Sequence, residues 1–221
     1  MTEAGKVTIK WLGHSSFLIS LEGGIKIVTD PFDQSVGYPM PDESADICVV
    51  SHDHFDHNCV SAIKGKPEIV KGTGEKKAKG LKFNGIGSYH DEKGGSQRGQ
   101  NTIWTFELGG IRFAHAGDLG IGLDDSQRRQ IGPVDVLFVP TGGFYTIDAA
   151  TASGVADALN PKVVIPMHYK TSFMGENFPL SGVDEFLKGK KKVVKTGKNW
   201  VSFTKESLPR ETTVYVLEYK E

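Results

Sequence analysis

Three features of the chain predict an α/β protein built from sheets covered by helices. The first recurs four times: a β-rich run stops, and just past its end stands His52, His90, Asp118 or His168. The second is TIWTFEL-GG-IRFAH, residues 102–115, two strand-like runs around Gly109-Gly110 that read as a hairpin. The third is residues 147–159, of helical length and rich in small side chains, stopped by Asn160-Pro161 and lying between the apolar runs VDVLFVP and KVVIPMH.

Taken in order, residues 7–20 (VTIKWLGHSSFLIS) and 25–29 (IKIVT) read as two strands of an antiparallel hairpin around Glu22-Gly23-Gly24, with His14 interrupting the first after Gly13. Asp30-Pro31 closes the second strand and opens loop 32–43, whose Phe32, Tyr38 and Met40 suit a cleft wall or a surface packing. The apolar run at 47–50 is long enough for a buried strand. Residues 58–64 look like a short helix, and 64–82 carry seven lysines with little apolar pattern. These lysines, and those of 188–198, read as solvated surface, because no aromatics interleave with them. Residues 83–90 (FNGIGSYH) form an extended piece ending at His90, followed by the Gly-rich polar stretch EKGGSQRGQN with Arg98. Strands follow at 134–140 and 162–168, a short helix at 183–187, and terminal strands at 193–194, 200–203 and 213–217.

The chain has 221 residues and no linker rich in Pro, Gly or Ser, so residues 1–221 are expected to form a single domain. With 26 Lys+Arg against 27 Asp+Glu the net charge is −1, and no global field favours nucleic acid or an anionic membrane. The N-terminus lacks the apolar core of a signal peptide, and no run approaches the ~18 apolar residues of a membrane span. Two cysteines, Cys48 and Cys59, make no disulfide framework, and a reducing cytoplasm is the simplest home. Nothing in the letters fixes the oligomeric state.

The chemistry concentrates in VVSHDHFDH, residues 49–57. Side chains at i and i+2 of an extended segment point the same way, so His52 and His54 can grip one ion together. Asp56 and His57 are adjacent, so the loop must curl there and can present both to a second centre. Three imidazoles and a carboxylate suit zinc, with iron and manganese as less specific alternatives.

The ordered set SHDHFDH, SYHDE, HAGDLG and PMHYK resembles the metallo-β-lactamase superfamily of metal-dependent hydrolases, over roughly residues 7–203. The resemblance implies a four-layer αββα sandwich with a dinuclear site along one edge. It implies that His52, His54 and His90 hold one divalent ion, that Asp56, His57 and His168 hold the other, and that Asp118 bridges them. The ions would be Zn2+, with Mn2+ or Fe2+ as alternatives. The GHSS, HAGD and MHY motifs are similar to the subgroup containing ascorbate-6-phosphate lactonase and the phospholipase D of N-acylethanolamine lipids. His14 and His115 resemble recurring positions of that subgroup, near the metals.

Two divalent ions sharing a water lower its pKa from ~15.7 towards neutrality, so hydroxide becomes available without a strong base. The implied reaction is hydrolysis of an ester, lactone or phosphodiester in a small anionic substrate. Asp118 would fix the metal separation, and Asp56 would ligate and hold a proton. The leaving group would take its proton from solvent, Asp56 or His115. Tyr169, Lys170 and Arg98 are candidate contacts for an anionic group. Alternatives are a phosphodiesterase or nuclease acting on nucleic acid, an iron-dependent redox enzyme, and a metal-binding protein without catalysis. His54, where the diiron oxygen-reducing branch usually has glutamate, argues against the redox form.

Overall fold

The computed structural model describes residues 5–176 and 178–219; the outermost residues of the expected 1–221 domain lie outside this range. The chain runs β1 (Val7–Gly13), β2 (Ser16–Leu21), β3 (Lys26–Thr29), β4 (Ile47–Val50), β5 (Glu68–Lys71), β6 (Gly74–Ala78), β7 (Leu81–Tyr89), β8 (Gln100–Leu108) and β9 (Ile111–His115). It continues through α1 (Asp125–Ile131), β10 (Val136–Pro140), α2 (Ala149–Leu159), β11 (Val163–Met167), α3 (Asp184–Leu187), β12 (Val193–Lys195), β13 (Trp200–Phe203) and β14 (Thr213–Val216).

The strands form two mixed sheets. One has the order β13-β1-β2-β3-β4-β5, the other β12-β14-β11-β10-β9-β8-β7-β6. Alternation along β2 shows how they face each other. Phe17 and Ile19 enter the core shared by the sheets, while Leu18 between them joins Leu12, Val28, Ala45 and Ile63 on the outer face. Phe17 packs against Phe138 of the opposite sheet, rings tilted with centroids 4.4 Å apart.

Helices cover the eight-stranded sheet. Ile131 of α1, Ala152, Val155 and Ala156 of α2, and Phe186 of α3 pack on its Ala114, Leu137, Val139 and Val164. Small residues on α2 let it lie close to the strands, and Asp148 caps its start by accepting from Thr151 N at 2.8 Å. On the six-stranded sheet the helical layer is reduced. Where residues 58–64 suggest a short helix, the described chain has only a 3-10 turn, Val60–Ala62, because Ile63 alone plugs the small outer cluster.

Other elements depart from expectation. Residues 7–20 are not one strand but the tight β1–β2 hairpin, turned at Gly13 (φ 112°) and His14 (φ 51°). A Cβ at position 13 would stand 2.7 Å from the Tyr38 ring, so glycine is required there. The lysine-rich 64–82 region supplies two outlying strands, β5 and β6, whose lysines leave too little apolar alternation to read. Loop 32–43 buries Phe32 and Tyr38 in a small core with Val36, Met174 and Leu180, while Met40 stays exposed.

At one end the sheets are tied by polar contacts. Trp104 is fully buried and its Nε1 donates to Val50 O at 2.9 Å, while Thr102 N donates to Ser51 O at 3.0 Å. His168 N donates to His14 O at 3.3 Å. These contacts fix the strand ends from which the functional side chains project. Among the described residues, no helix is long and apolar enough to cross a membrane.

Candidate metal centre

The loop after β4 is built on Asp30. Its carboxylate accepts from Ser51 N at 2.7 Å and from Ser51 Oγ at 2.6 Å. Ser51 Oγ stands 2.9 Å from His52 Nδ1, and His57 Nδ1 donates to Asp30 Oδ2 at 2.9 Å. With those Nδ1 atoms engaged, His52 and His57 offer Nε2 to the centre. The loop curls because His57 N and Asn58 N both donate to His54 O, at 2.9 and 3.0 Å. That turn places Asp56 and His57 side by side at a different point from His52 and His54.

The other three positions arrive from the eight-stranded sheet, past β7, β9 and β11. Asn101 holds the segment after β9: its Nδ2 donates to Ala116 O at 2.8 Å and its Oδ1 accepts from Asp118 N at 3.0 Å. Asp118 then lies among three imidazoles. His57 Nε2 is 3.1 Å from its Oδ1, and the Nε2 atoms of His90 and His168 are each 3.2 Å from its Oδ2. The close approach depends on Gly120, whose added Cβ would meet the His90 carbonyl carbon at 2.3 Å.

The donor atoms fall into overlapping groups: His14, Asp56, His57 and His168; His52, His54 and His90; and His52, His57 and Asp118. Within each group one donor atom per residue lies within 4.8 Å of the others. The structure thus brings together all seven residues of the expected ligand set, and adds His14. That histidine stands 3.2 Å from Asp56 Oδ2 through Nε2, with its ring 4.1 Å from that of His168.

The residues fit a divalent cation on their own geometry. Asp118 Oδ1 and His57 Nε2 are buried, face each other, and make no aligned hydrogen bond. Electrostatics agree. Burial drives the imidazoles of His52 and His14 down to about 3 and about 4, so both are held neutral. Burial also works against charge on His57 and Asp118, but their mutual attraction outweighs it. His57 is held well above the ordinary histidine range with help from Asp56 and Asp30; Asp118 is held well below the carboxylate range, with His168 contributing most. A buried carboxylate that demands positive charge, with the neutral imidazoles of His52 and His14 close by, is a donor arrangement that a divalent ion satisfies.

His115 is placed differently. Its Nε2 donates to Ser15 O at 2.9 Å and its Nδ1 accepts from Gly117 N at 3.2 Å, so both ring nitrogens serve the backbone. Burial keeps it neutral. It braces the β1–β2 turn against the segment carrying Asp118 and does not line the cavity. Tyr169 is buried beneath Trp11, ring centroids 5.5 Å apart. Lys170 Nζ donates to the carbonyls of Gly175, Glu176 and Phe178, tying down that loop rather than facing a substrate.

A cavity of about 370 Å³ opens over the centre, with Phe55, Tyr145, Phe178 and Leu180 as its apolar walls and Arg98 at its side. Asp30 is the functional residue that sequence reasoning passed over. Its signal was an acid immediately past the apolar run IKIVT, the same placement that marks the ligands. Asp30, His14 and His168 share a left-handed backbone, with φ of 39°, 51° and 51°, which turns each chain sharply at a strand end.

Residues 8–168 match the family model described as the Beta-lactamase superfamily domain. The chain belongs to the metallo-β-lactamase superfamily. Within the superfamily it is 32% identical over 209 residues to a UPF0173 metal-dependent hydrolase of Korarchaeum cryptofilum, covering 82% of this chain and 89% of that one. A UPF0173 metal-dependent hydrolase of Pyrococcus abyssi is 30% identical over 199 residues, covering 75% and 85%. A crystal structure from Thermotoga maritima, described as a candidate Zn-dependent hydrolase of the same superfamily, matches with a TM-score of 0.79. It is 37% identical, and the match covers 96% of this chain and all of that one. The two facing sheets are therefore those of the metallo-β-lactamase fold, and the protein is a metal-dependent hydrolase.

Proposed function

We propose that the protein hydrolyses an ester, lactone or phosphodiester bond of a small anionic compound at a dinuclear zinc centre. One observation carries this reading: the Asp118 carboxylate lies 3.1–3.2 Å from imidazoles delivered by three separate stretches of chain, at the floor of a cavity. His52, His54 and His90 would hold one ion, and Asp56, His57 and His168 the other, with Asp118 shared. The mixed N/O set suits zinc, and the Thermotoga maritima relative's description agrees; manganese or iron would fill the same donors less specifically. Bound there, divalent ions supply Lewis acidity and acidify water to near neutrality.

The chain's own residues do the rest. Burial opposes ionisation of Asp56, but His57 and the His14 hydrogen bond hold its carboxyl below the usual range. Asp56 Oδ2 is therefore an anion on the cavity wall, able to accept a proton and pass it to a leaving group. His14, 3.2 Å away, orients that oxygen. His115 is a brace, so proton transfer falls to Asp56 and solvent. Phe55, Phe178 and Leu180 limit water around the substrate. The GHSS, HAGD and MHY segments keep a lactonase of the ascorbate-6-phosphate type among the reactions to test.

The lysine-rich stretches give little support to a nucleic-acid substrate, because many are neutralised locally. Lys71 pairs with Asp53 at 3.7 Å, Lys79 with Glu68 at 3.2 Å and Lys192 with Glu211 at 3.0 Å. The test is a screen of ester, lactone and phosphodiester substrates with zinc- and manganese-loaded protein, using Asp118→Ala as control. Turnover of a small ester or lactone that Asp118→Ala abolishes supports the reading. Cleavage of bis(p-nitrophenyl) phosphate alone points to a phosphodiesterase, and iron with oxygen-dependent turnover overturns hydrolysis.

A further inference from the structure

Arg98 is a half-buried cation with no anionic partner among the described residues. Among the described residues its guanidinium makes no hydrogen bond and no ion pair, and it lies over the Tyr145 ring, 5.6 Å from the centroid. Arg112 is matched with Glu107 and Arg128 with Asp125, while Arg129 and Arg210 are exposed to solvent. A guanidinium partly withdrawn from water and left unpaired is costly unless something else supplies the anion.

Its position says what that would be. Arg98 lines the cavity over the metal centre, and it also lines a second cavity of about 560 Å³, which shares His90 and Tyr145 with the first. Arg98 therefore stands on the border between the two cavities. Acidic residues nearby are otherwise engaged. Asp91 Oδ1 accepts from Lys93 N at 2.8 Å and Gly95 N at 3.0 Å, and its Oδ2 accepts from Gln97 N at 3.0 Å and Arg98 N at 2.7 Å. Asp148 caps α2. Glu92 lines the second cavity but lies beyond ion-pair distance of the guanidinium. The four-donor clamp on Asp91 matters in its own right. It fixes the main chain of Arg98 to the residue next to His90, so the cation is held in register with the metal centre.

We propose that Arg98 determines specificity by pairing with a carboxylate or phosphate that the substrate carries away from its scissile bond. This group sits at the junction of the two cavities while the scissile carbonyl or phosphoryl group lies over Asp118. The inference rests on the hydrolase reading and deepens it, since it names the chemistry of the substrate's far end. The planar fork of arginine suits both anions in bidentate fashion.

The test uses zinc-loaded protein and calorimetric titration with the dicarboxylates from succinate to pimelate, against butyrate. One carboxylate of each probe can occupy the centre, and only the dicarboxylates have a second for Arg98. At least one dicarboxylate is expected to bind about tenfold or more tighter than butyrate. Arg98→Ala should remove that advantage and leave butyrate binding within about twofold, and Arg98→Lys should keep part of it. Equal binding of all probes to the wild type, or an advantage that survives in Arg98→Ala, overturns the proposal. A kinetic arm compares mono(4-nitrophenyl) glutarate with 4-nitrophenyl butyrate. If the wild type cleaves neither, the ester reading fails, while the titration still decides on Arg98. Comparing glutarate with 4-phosphonobutyrate shows which of the two anions is favoured.

Discussion

The turn at residues 13–16 and the segment at 115–118 each carry a histidine just past or within a strand end, and the protein uses the two in opposite ways. His14 turns its ring into the cavity, meets Asp56 through Nε2, and has a buried Nδ1 with no partner among the described residues. His115 spends both nitrogens on backbone groups, one of them the carbonyl of Ser15 in the other histidine's turn. The lesson concerns hydrogen-bond accounting. A histidine whose two nitrogens satisfy the main chain is structural even when it stands three residues from the central carboxylate.

The largest expected effect lies at the point both turns support. Asp118→Ala should lower kcat/KM by about 10³-fold or more and reduce bound metal, since several kcal/mol of charge stabilisation disappear; elemental analysis alongside kinetics checks this. The comparison itself is sharpened by His14→Asn, which tolerates the left-handed backbone. It should weaken metal affinity and turnover by about 10- to 100-fold, with little change in the melting temperature of the metal-free protein. His115→Ala should do the reverse. Leaving Ser15 O and Gly117 N unpaired and opening a cavity should cost about 3–5 kcal/mol in denaturant unfolding, with kcat of the folded fraction changed only a few-fold. If His115→Ala instead lost turnover at full stability, the contrast between the turns would collapse. Asp30→Asn touches both regions through Ser51, His57 and His115, and should reduce metal affinity by about tenfold with a smaller loss of stability. The smallest effect is expected from a combined Lys76→Gln and Lys79→Gln change, which should leave turnover and its salt dependence unaltered.

That these seven residues cluster was legible in the letters because they stand past apolar strands, β4 of one sheet and β7, β9 and β11 of the other, whose ends meet at a common edge. SHDHFDH added direction through its i, i+2 spacing. The distinction between His14 and His115 was not legible, since it depends on which backbone carbonyl each ring meets across the sheets. Asp30 escaped for a related reason: its carboxylate acts through Ser51 and His57, 21 and 27 positions on, which local pattern does not connect. The β1–β2 turn was hidden by continuous apolar alternation on both sides of Gly13-His14. Edge strands β5 and β6 were masked by lysines, and α1 by its length of seven residues with a single buried apolar side chain.

The left-handed backbone at His14, Asp30 and His168 has an evolutionary cost attached. Each such conformation outside glycine disfavours the folded chain by about 1 kcal/mol or more. A lineage released from the need for turnover would gain robustness by drifting to glycine or asparagine at these three sites, dismantling the centre as it did so. Two histidines and an aspartate at these sites hold this molecule uphill of its most durable sequence, a strain borne where the work is done.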